Sequence, residues 1–298
     1  MLKINQITQA FGDKVILDDV SFEAHSREII GLVAPNGTGK TTLLNILMDF
    51  LSPQEGKITI EKDNETIDYS SIKSKVTMHE NIIFLPELED LYGQLSGLDH
   101  LKLYAKLWGE STERVPEIIE KLNIDSYVRD RVSTYSLGMR QRLCFAMLLC
   151  ANPPIMLMDE VMNGLDPDNV TLLTNILIEL KQEGKIILIA SHLLDNLDIY
   201  ADRVAFMKEG KLKFLDEELT KQSYLKVEVG SSSKEQLLIE DLWAEDAHIF
   251  GDHLLAIPIK NKSEKEMAQW IEKFLKNGYS DFSINSIGTS EWYEEFYE

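Results

Sequence analysis

The chain has 298 residues, and its 50 acidic residues outnumber its 30 lysines and arginines, which gives a formal net charge of −20. Hydrophobic residues make up 44% and charged residues 27%, values typical of a folded globular protein that exclude disordered and low-complexity architectures. Because no basic patch offsets the negative charge, binding to nucleic acid or to anionic lipid is not expected.

The N-terminal residues contain no apolar segment of the kind found in signal peptides. The longest apolar run, residues 143–151, is too short to cross a bilayer. We therefore expect a cytoplasmic protein that associates with a membrane only through a partner. Cys144 and Cys150 lie in this run, and we expect them to pack as buried apolar side chains rather than to form a disulfide or bind a metal.

Short apolar runs predict strands at residues 16–22 and 28–33, followed by a glycine-rich turn and an apolar helix from residue 40 to about residue 51. Helical spacing between residues 97 and 122 predicts a helical insertion. Two buried parallel strands and the helix that connects them are expected at residues 154–158, 185–190 and 169–181. This order is typical of an α/β domain with a mixed-sheet core, an antiparallel β layer and a helical subdomain.

The pattern changes near residue 222, which predicts two domains, residues 1–222 and 223–298. The second domain is expected to be a small α+β unit, with elements at residues 224–229, 234–243, 253–259, 263–277 and 281–287 and an acidic helix from residue 290. From residue 223 onward, 7 lysines and no arginine stand against 15 acidic residues, so this domain is expected to present a solvated acidic surface.

A phosphate-binding loop is predicted at residues 34–42, Ala-Pro-Asn-Gly-Thr-Gly-Lys-Thr-Thr, because it follows a strand and precedes a helix. Its glycines let backbone N–H groups turn toward a polyphosphate, Lys40 supplies a positive charge to the β and γ phosphates, and the Thr41 hydroxyl can ligate Mg²⁺. Ala34 stands at the usual first glycine, where its methyl group is tolerable if the backbone stays in an ordinary region. The predicted nucleotide-binding residues of the loop are Asn36, Gly37, Thr38, Gly39, Lys40, Thr41 and Thr42.

Two carboxylates follow the buried strand at residues 154–158. Beside a phosphate-binding loop, such a pair can serve a metal ion and the attacking water. Asp159 is the predicted Mg²⁺ ligand, and Glu160 is the predicted general base that activates the water. The sequence therefore predicts a P-loop NTPase.

Around these motifs, residues 1–222 resemble the nucleotide-binding subunit of an ATP-binding cassette (ABC) transporter. Residues 135–139, Tyr-Ser-Leu-Gly-Met, resemble the family signature Leu-Ser-Gly-Gly-Gln. In this family the signature of one subunit covers the γ-phosphate held by another. The resemblance therefore implies that Ser136 and Gly138 face a nucleotide bound by a second subunit, either an identical chain or a related one.

Other residues follow the order of motifs in the same family. The resemblance implies that Phe11 stacks on adenine, that Glu87 takes the place of a glutamine that contacts Mg²⁺ and the attacking water, and that His192 contacts the γ-phosphate. Residues 163–167, Asn-Gly-Leu-Asp-Pro, resemble the loop through which the two subunits communicate.

The resemblance implies an ATPase that uses Mg²⁺, closes as a dimer around two nucleotides, and drives a separately encoded transmembrane permease at the cytoplasmic face of the membrane. The permease would contact residues 87–107. The form of the signature and the short tail resemble bacterial exporters of drugs, lantibiotics or amphipathic peptides.

Three alternatives remain open. Importer cassettes share the same core, so the direction of transport is not determined by these motifs. A soluble ABC-type ATPase acting on DNA or ribosomes would need a basic contact surface that this sequence lacks. A switch that binds ATP but hydrolyses it slowly is suggested by Ala34 and Glu87.

Overall fold

Contacts within the chain divide it into two units, Met1–Lys213 and Phe214–Glu298. The computed structural model describes residues 1–63, 65–230, 247–251, 253–260 and 262–297. The division falls nine residues before the predicted boundary, near the end of the last strand of the main sheet, Lys211–Phe214. In the described part of the chain, every helix is too short or too polar to span a bilayer.

An antiparallel sheet forms the first layer of the N-terminal unit. Its strands are β1 (Leu2–Phe11), β2 (Lys14–Ala24), β4 (Glu55–Lys62) and β5 (Glu65–Asp68), in the spatial order β2-β1-β4-β5. Side chains along β1 are alternately more and less buried over most of its length, as expected for a strand with one face toward a core. This sheet is the antiparallel β layer that the sequence predicts.

The central sheet has six strands in the order β10-β9-β3-β8-β7-β6. The strands are β3 (Glu28–Val33), β6 (Ile82–Phe84), β7 (Ile155–Asp159), β8 (Ile186–Ala190), β9 (Arg203–Lys208) and β10 (Lys211–Phe214). Neighbours from β9 to β6 are parallel, and every residue of β3 and β8 is buried. Apart from Glu28 at the start of β3, their apolar sequences reflect burial on both faces of the sheet.

The helices of the N-terminal unit are α1 (Lys40–Leu47), α2 (Ile72–Asn81), α3 (Gly97–Leu107), α4 (Val115–Lys121), α5 (Leu137–Ala151), α6 (Pro167–Gln182) and α7 (Leu194–Tyr200). Helix α1 ends before the predicted residue 51, because Asp49 is left-handed and the Phe50 N–H donates to the Asn45 carbonyl oxygen. Every residue from 143 to 151 of α5 is buried. Cys144 and Cys150 are free thiols within it, and burial raises the pKa of each to about 12. Their predicted packing as buried side chains is confirmed.

The second unit is built on an antiparallel sheet in the order β12-β13-β11-β14. Its elements are α8 (Glu217–Lys221), β11 (Tyr224–Glu228), β12 (His248–Phe250), β13 (Leu254–Pro258), α9 (Glu264–Lys276), β14 (Phe282–Asn285) and α10 (Thr289–Tyr297). The helix predicted at residues 234–243 lies outside the described residues. Strand β12 was not predicted, because three residues are too few to show a period.

Two buried clusters stabilise the second unit. Phe274 of α9 belongs to one cluster, and Trp292 of α10 packs against the other, where its ring meets that of Phe250 edge-on. Between sheet and helix, the buried ammonium of Lys226 on β11 bonds to Glu291 of α10. The Gly288 N–H donates to the other carboxylate oxygen of Glu291 at 2.8 Å. This ion pair attaches α10 to the sheet.

Candidate active site

The candidate site lies at one edge of the central sheet, where three neighbouring parallel strands end. The pairs Leu32 with Ala190 and Ala190 with Asp159 bring the ends of β3, β8 and β7 into register. The phosphate-binding loop follows β3, Glu160 follows β7 and His192 follows β8. The carboxyl ends of parallel strands are the usual position of ligand sites in α/β sheets.

Glycines give the loop its shape. Gly37 has φ of 79° and Gly39 has φ of 117°, values that other residues rarely adopt. A Cβ on Gly39 would also lie 2.9 Å from Cγ2 of Ile16. Ala34 is buried but does not have positive φ, so its additional methyl group causes no backbone strain of this kind.

Lys40 places a positive charge at the start of α1, and the residue is only 6% exposed. Its ammonium donates to the carbonyl oxygens of Ala34 and Pro35. Burial lowers the pKa of Lys40, and the negative charges of Glu160 and Asp159 partly oppose this effect. Since its hydrogen-bond partners are neutral carbonyls, the charge remains available to an anion.

A hydroxyl and a carboxylate lie side by side next to Lys40. The Thr41 Oγ1 donates to Oδ2 of Asp159 at 2.9 Å. Burial is the main cause that raises the pKa of Asp159, while the hydrogen bond from Thr41 and the charge of Lys40 act in the opposite direction. One carboxylate with neighbouring hard oxygen donors is the type of set that holds Mg²⁺ together with substrate phosphates, so these residues fit the predicted metal.

Glu160 is held by its backbone and by two contacts of its carboxylate. Its backbone is left-handed, with φ of 52°, and its N–H donates to the carbonyl oxygen of Ala190 at 2.9 Å. Its Oε2 lies 2.6 Å from Nδ1 of His192 and accepts a hydrogen bond of 3.0 Å from Nδ2 of Asn163. The structure therefore brings the two residues predicted to be catalytic together.

Sequence reasoning did not identify the contact between Asn163 and Glu160. The signal available was its position three residues after Glu160, the spacing of a tight turn, in which the Asn163 N–H donates to the Glu160 carbonyl oxygen at 3.1 Å.

Lys40, Asp159 and Glu160 border a cavity of about 320 Å³, large enough for part of a nucleotide. It is lined by Phe11, Ile16, Asn36, Gly37, Gly39, Lys40, Thr41, Thr42, Asp159 and Glu160. Phe11 is 54% exposed, so its ring is open to a ligand. Thr38 is not among the lining residues, and its hydroxyl instead donates to the Pro35 carbonyl oxygen at 2.8 Å.

Glu87 does not line the phosphate-loop cavity. It lies in an adjacent cavity of about 450 Å³, and Asp159 and Glu160 belong to the walls of both. The Glu87 side chain is exposed, and its N–H donates to Oδ2 of Asp90 at 3.0 Å. The structure thus places Glu87 near the two carboxylates but outside the group around Lys40.

Ser136 and Gly138 line a third cavity of about 330 Å³, which shares no residue with the phosphate-loop cavity. Ser136 Oγ caps α5 by accepting the Met139 N–H at 3.3 Å. Asp166, on the same cavity, caps α6 by accepting the Asn169 N–H at 2.9 Å. The predicted nucleotide-binding residues of one chain therefore fall into two separate sites.

Comparisons with known proteins indicate the family of this chain. The family model described as ABC transporter matches residues 17–163. MJ1023 of Methanocaldococcus jannaschii, described as an uncharacterized ABC transporter ATP-binding protein, is 35% identical over 214 residues, or 70% of this chain and 75% of the relative. The lantibiotic transport ATP-binding protein SrtF of Streptococcus pyogenes is 32% identical over 213 residues, or 71% of this chain and 89% of SrtF. A solved ATP-binding subunit of an ABC transporter has a TM-score of 0.66 at 24% identity, covering 73% of this chain and 90% of that chain.

The chain belongs to the family of ABC transporter ATP-binding proteins. It is therefore an ATP-binding protein and an ATPase of the ABC type. The predicted P-loop α/β fold is confirmed by the structural match.

Proposed function

We propose that this chain hydrolyses ATP with Mg²⁺ as one half of a dimer and drives export of a small molecule or peptide through a separately encoded permease. In this proposal residues 1–222 form the ATPase domain and residues 223–298 an accessory domain. Export is supported by the similarity to SrtF, whose name describes lantibiotic transport. The place of action would be the cytoplasmic face of the membrane, where the permease holds the chain.

The observation that carries the proposal is the arrangement of Lys40, Asp159, Glu160 and His192 at the ends of three parallel strands. Lys40 and the N–H groups at the start of α1 would bind the β and γ phosphates. Thr41 and Asp159 would hold Mg²⁺, which when bound neutralises phosphate charge. Glu160 would accept a proton from the attacking water, and His192, whose Nδ1 lies 2.6 Å from the Glu160 carboxylate, would contact the γ-phosphate.

The dimer is proposed because Ser136 and Gly138 lie in a cavity separate from Lys40. Within one chain these residues do not complete the phosphate-loop site. A second protomer, identical or related, would supply them. Phe11, Asn36 and Thr42 line the phosphate-loop cavity and would contact the nucleotide of their own protomer.

The test of the ATPase assignment is steady-state phosphate release at saturating Mg-ATP by the wild type and by Glu160→Gln. We expect the variant to lose about 10²- to 10⁴-fold in kcat, because an amide cannot act as general base. Glu183→Gln, at the exposed end of α6, is the matched control and should keep the wild-type rate. Equal rates for wild type and Glu160→Gln would remove Glu160 from its role.

The test of the transport assignment is affinity purification of the chain from membranes of the source organism. A co-purifying protein with several apolar spans of about 20 residues would be the expected permease. Its contact surface is proposed at residues 87–107, where Tyr92, Leu95 and Leu107 are exposed. Recovery of RNA or DNA in place of a membrane protein would contradict the transport assignment.

A further inference from the structure

The sheet of the second unit ends in an exposed strand. In the order β12-β13-β11-β14, strand β14 has β11 on one side and forms the edge of the sheet on the other. Ser283, Ile284 and Asn285 of this strand are exposed, Ile284 over 55% of its surface. The edge is therefore open to solvent, and an open edge is the place where a further strand can pair.

The ladder with β11 determines which backbone groups of β14 point outward. The Glu228 N–H donates to the Asp281 carbonyl oxygen at 3.2 Å, and Ser283 lies two residues further along the same ladder. In an antiparallel ladder every second residue directs its N–H and C=O toward the same neighbour. Asp281 and Ser283 therefore face β11. Phe282 and Ile284 direct their N–H and C=O groups toward the open edge, where no strand of the described residues pairs with them.

This edge lacks most of the features that prevent edge strands from pairing. Natural edges are commonly protected by lysine, by proline or by a β-bulge. Residues 282–290 contain no charged side chain and no proline, and the pairing of β14 with β11 is regular throughout. Only the shortness of the strand limits its capacity to pair.

The charge of the surrounding domain indicates what can pair here. From residue 223 onward, 15 acidic residues stand against 7 lysines, so two copies of this unit repel each other over most of their surface. The uncharged segment 282–290 is a place where two copies can approach without bringing like charges together. A cationic partner would instead be attracted to the acidic surface and would find no charge at this edge.

Strand β14 is also complementary to itself. When two copies pair antiparallel with Ser283 opposite Ser283, Phe282 of each chain lies opposite Ile284 of the other. Each outward N–H of these two residues then meets an outward C=O of the other chain. Both side chains lie on the sheet face of the buried residues Leu225 and Val227, so the pairing also brings apolar side chains together.

We infer that β14 is a self-pairing edge, through which two copies of the chain join the sheets of their second units into one continuous sheet. The inference goes beyond the proposed function and takes from it only the presence of two copies in one assembly. A strand this short buries less area than a stable dimer in dilute solution needs. Two chains held on one permease are at an effective concentration of about 1 mM, at which a weak contact is sufficient.

The contact does not depend on nucleotide. Strand β14 contributes no residue to the phosphate-loop cavity or to the cavity of Ser136 and Gly138. Pairing at β14 therefore keeps the two chains together when their ATP sites are empty.

A disulfide between the two copies of β14 tests the inference. In the self-paired register the two Ser283 residues form a pair without backbone hydrogen bonds, with Cα atoms about 4.5 Å apart, a separation that a disulfide can span. The natural thiols Cys144 and Cys150 are buried and do not compete. We expect Ser283→Cys in the full chain, mildly oxidised without nucleotide, to form a covalent dimer at least about 10 times faster than Ser223→Cys. Ser223 is the control because it is also exposed and belongs to the same unit.

Substitutions of Ile284 test the pairing itself. Ile284→Pro removes an outward N–H and leaves the hydrogen bonds to β11 in place, and Ile284→Lys adds a charge to the edge. Because each change occurs twice in the paired sheet, we expect both to slow the Ser283→Cys crosslink at least about tenfold. Leu275→Lys on α9 is the matched control, since Leu275 is 54% exposed, and it should leave the crosslinking rate unchanged.

Folding of each variant is judged from its thermal unfolding midpoint. A folded Ser283→Cys chain that crosslinks no faster than Ser223→Cys would overturn the inference, and so would a crosslink that neither Ile284 variant slows. If Ser283→Cys does not fold, sedimentation equilibrium at high protein concentration replaces the crosslink. The Kd for self-association without nucleotide should then rise at least about tenfold in Ile284→Lys and stay unchanged in Leu275→Lys, and equal values in the wild type and Ile284→Lys would overturn the inference.

Phosphate release by the wild type and by Glu160→Gln is measured in the same series. Equal rates of release would remove the proposed ATPase role of Glu160 and leave the edge contact to be decided by the crosslink. Loss of activity in Glu160→Gln without a Ser283→Cys crosslink would remove only the edge contact.

Discussion

Replacing Lys40 by methionine should change ligand-free stability and nucleotide affinity in different directions. The substitution keeps most of the apolar stem and removes the ammonium, which is buried and bonded to the Ala34 and Pro35 carbonyls. Burial lowers the pKa of Lys40, so the folded state disfavours its charged form relative to the unfolded state. That cost is present wherever the wild-type lysine is charged, and it is absent from Lys40→Met. We expect the ligand-free unfolding midpoint of the variant to equal or exceed that of the wild type.

The effect on binding follows from the charge. Two unit charges 4 Å apart interact by about 4 kcal/mol at an effective dielectric constant of 20. Because the cavity is open to solvent, we take about 2–4 kcal/mol, which corresponds to a Kd raised about 30- to 1000-fold. A ligand at 1000 times its Kd stabilises the wild type by about 4 kcal/mol, whereas the same concentration stabilises the variant by only about 0.4–2 kcal/mol.

The assay is thermal unfolding with and without a non-hydrolysable ATP analogue. For a unit of this size, about 4 kcal/mol corresponds to a midpoint increase of about 8–16 °C in the wild type. Lys57→Met, an exposed lysine of β4, is the control and should respond like the wild type. An equal ligand-induced increase in Lys40→Met would refute the assignment of the phosphate-binding loop.

Two further predictions concern buried polar groups. Lys226→Met leaves the Glu291 carboxylate without its cation, and we expect the unfolding free energy of the second unit to fall by about 2–3 kcal/mol. This loss is near the lower end of the values for broken buried ion pairs, because the Glu291 side chain is 23% exposed. The double variant Lys226→Met/Glu291→Leu should recover most of the loss in urea unfolding followed by tryptophan fluorescence, and a single variant as stable as the wild type would contradict this. The Tyr200 hydroxyl is buried without a hydrogen-bond partner among the described residues. Tyr200→Phe should therefore leave the unfolding free energy unchanged or raise it by up to about 1 kcal/mol, and it should leave kcat unchanged. A decrease of more than about 1 kcal/mol in the unfolding free energy would show that the hydroxyl has a hydrogen-bond partner.

Features that depend on short-range chemistry were predicted well. The loop was identifiable because only glycine readily adopts the positive φ of Gly37 and Gly39. The strands on either side of the site were identifiable because β3 and β8 are buried throughout and, apart from Glu28, contain no charged or polar side chain. The end of α1 could not be predicted, because it depends on the backbone conformation of a single residue. Strand β12 could not be predicted either, because it is too short to show a pattern.

The sequence by itself determined the phosphate-binding loop, the paired carboxylates and the family, since each is carried by neighbouring residues whose types the chemistry restricts. Tertiary structure decided which of these residues meet. Strand β8 lies between β3 and β7 in the sheet, and this order brings His192 to Glu160 across 32 positions of sequence. The packing of α5 likewise brings Gln141 to Asn163, 22 positions away. Such contacts depend on how the strands and helices are arranged in space, and a hydrogen bond between distant residues leaves no periodic pattern along the chain.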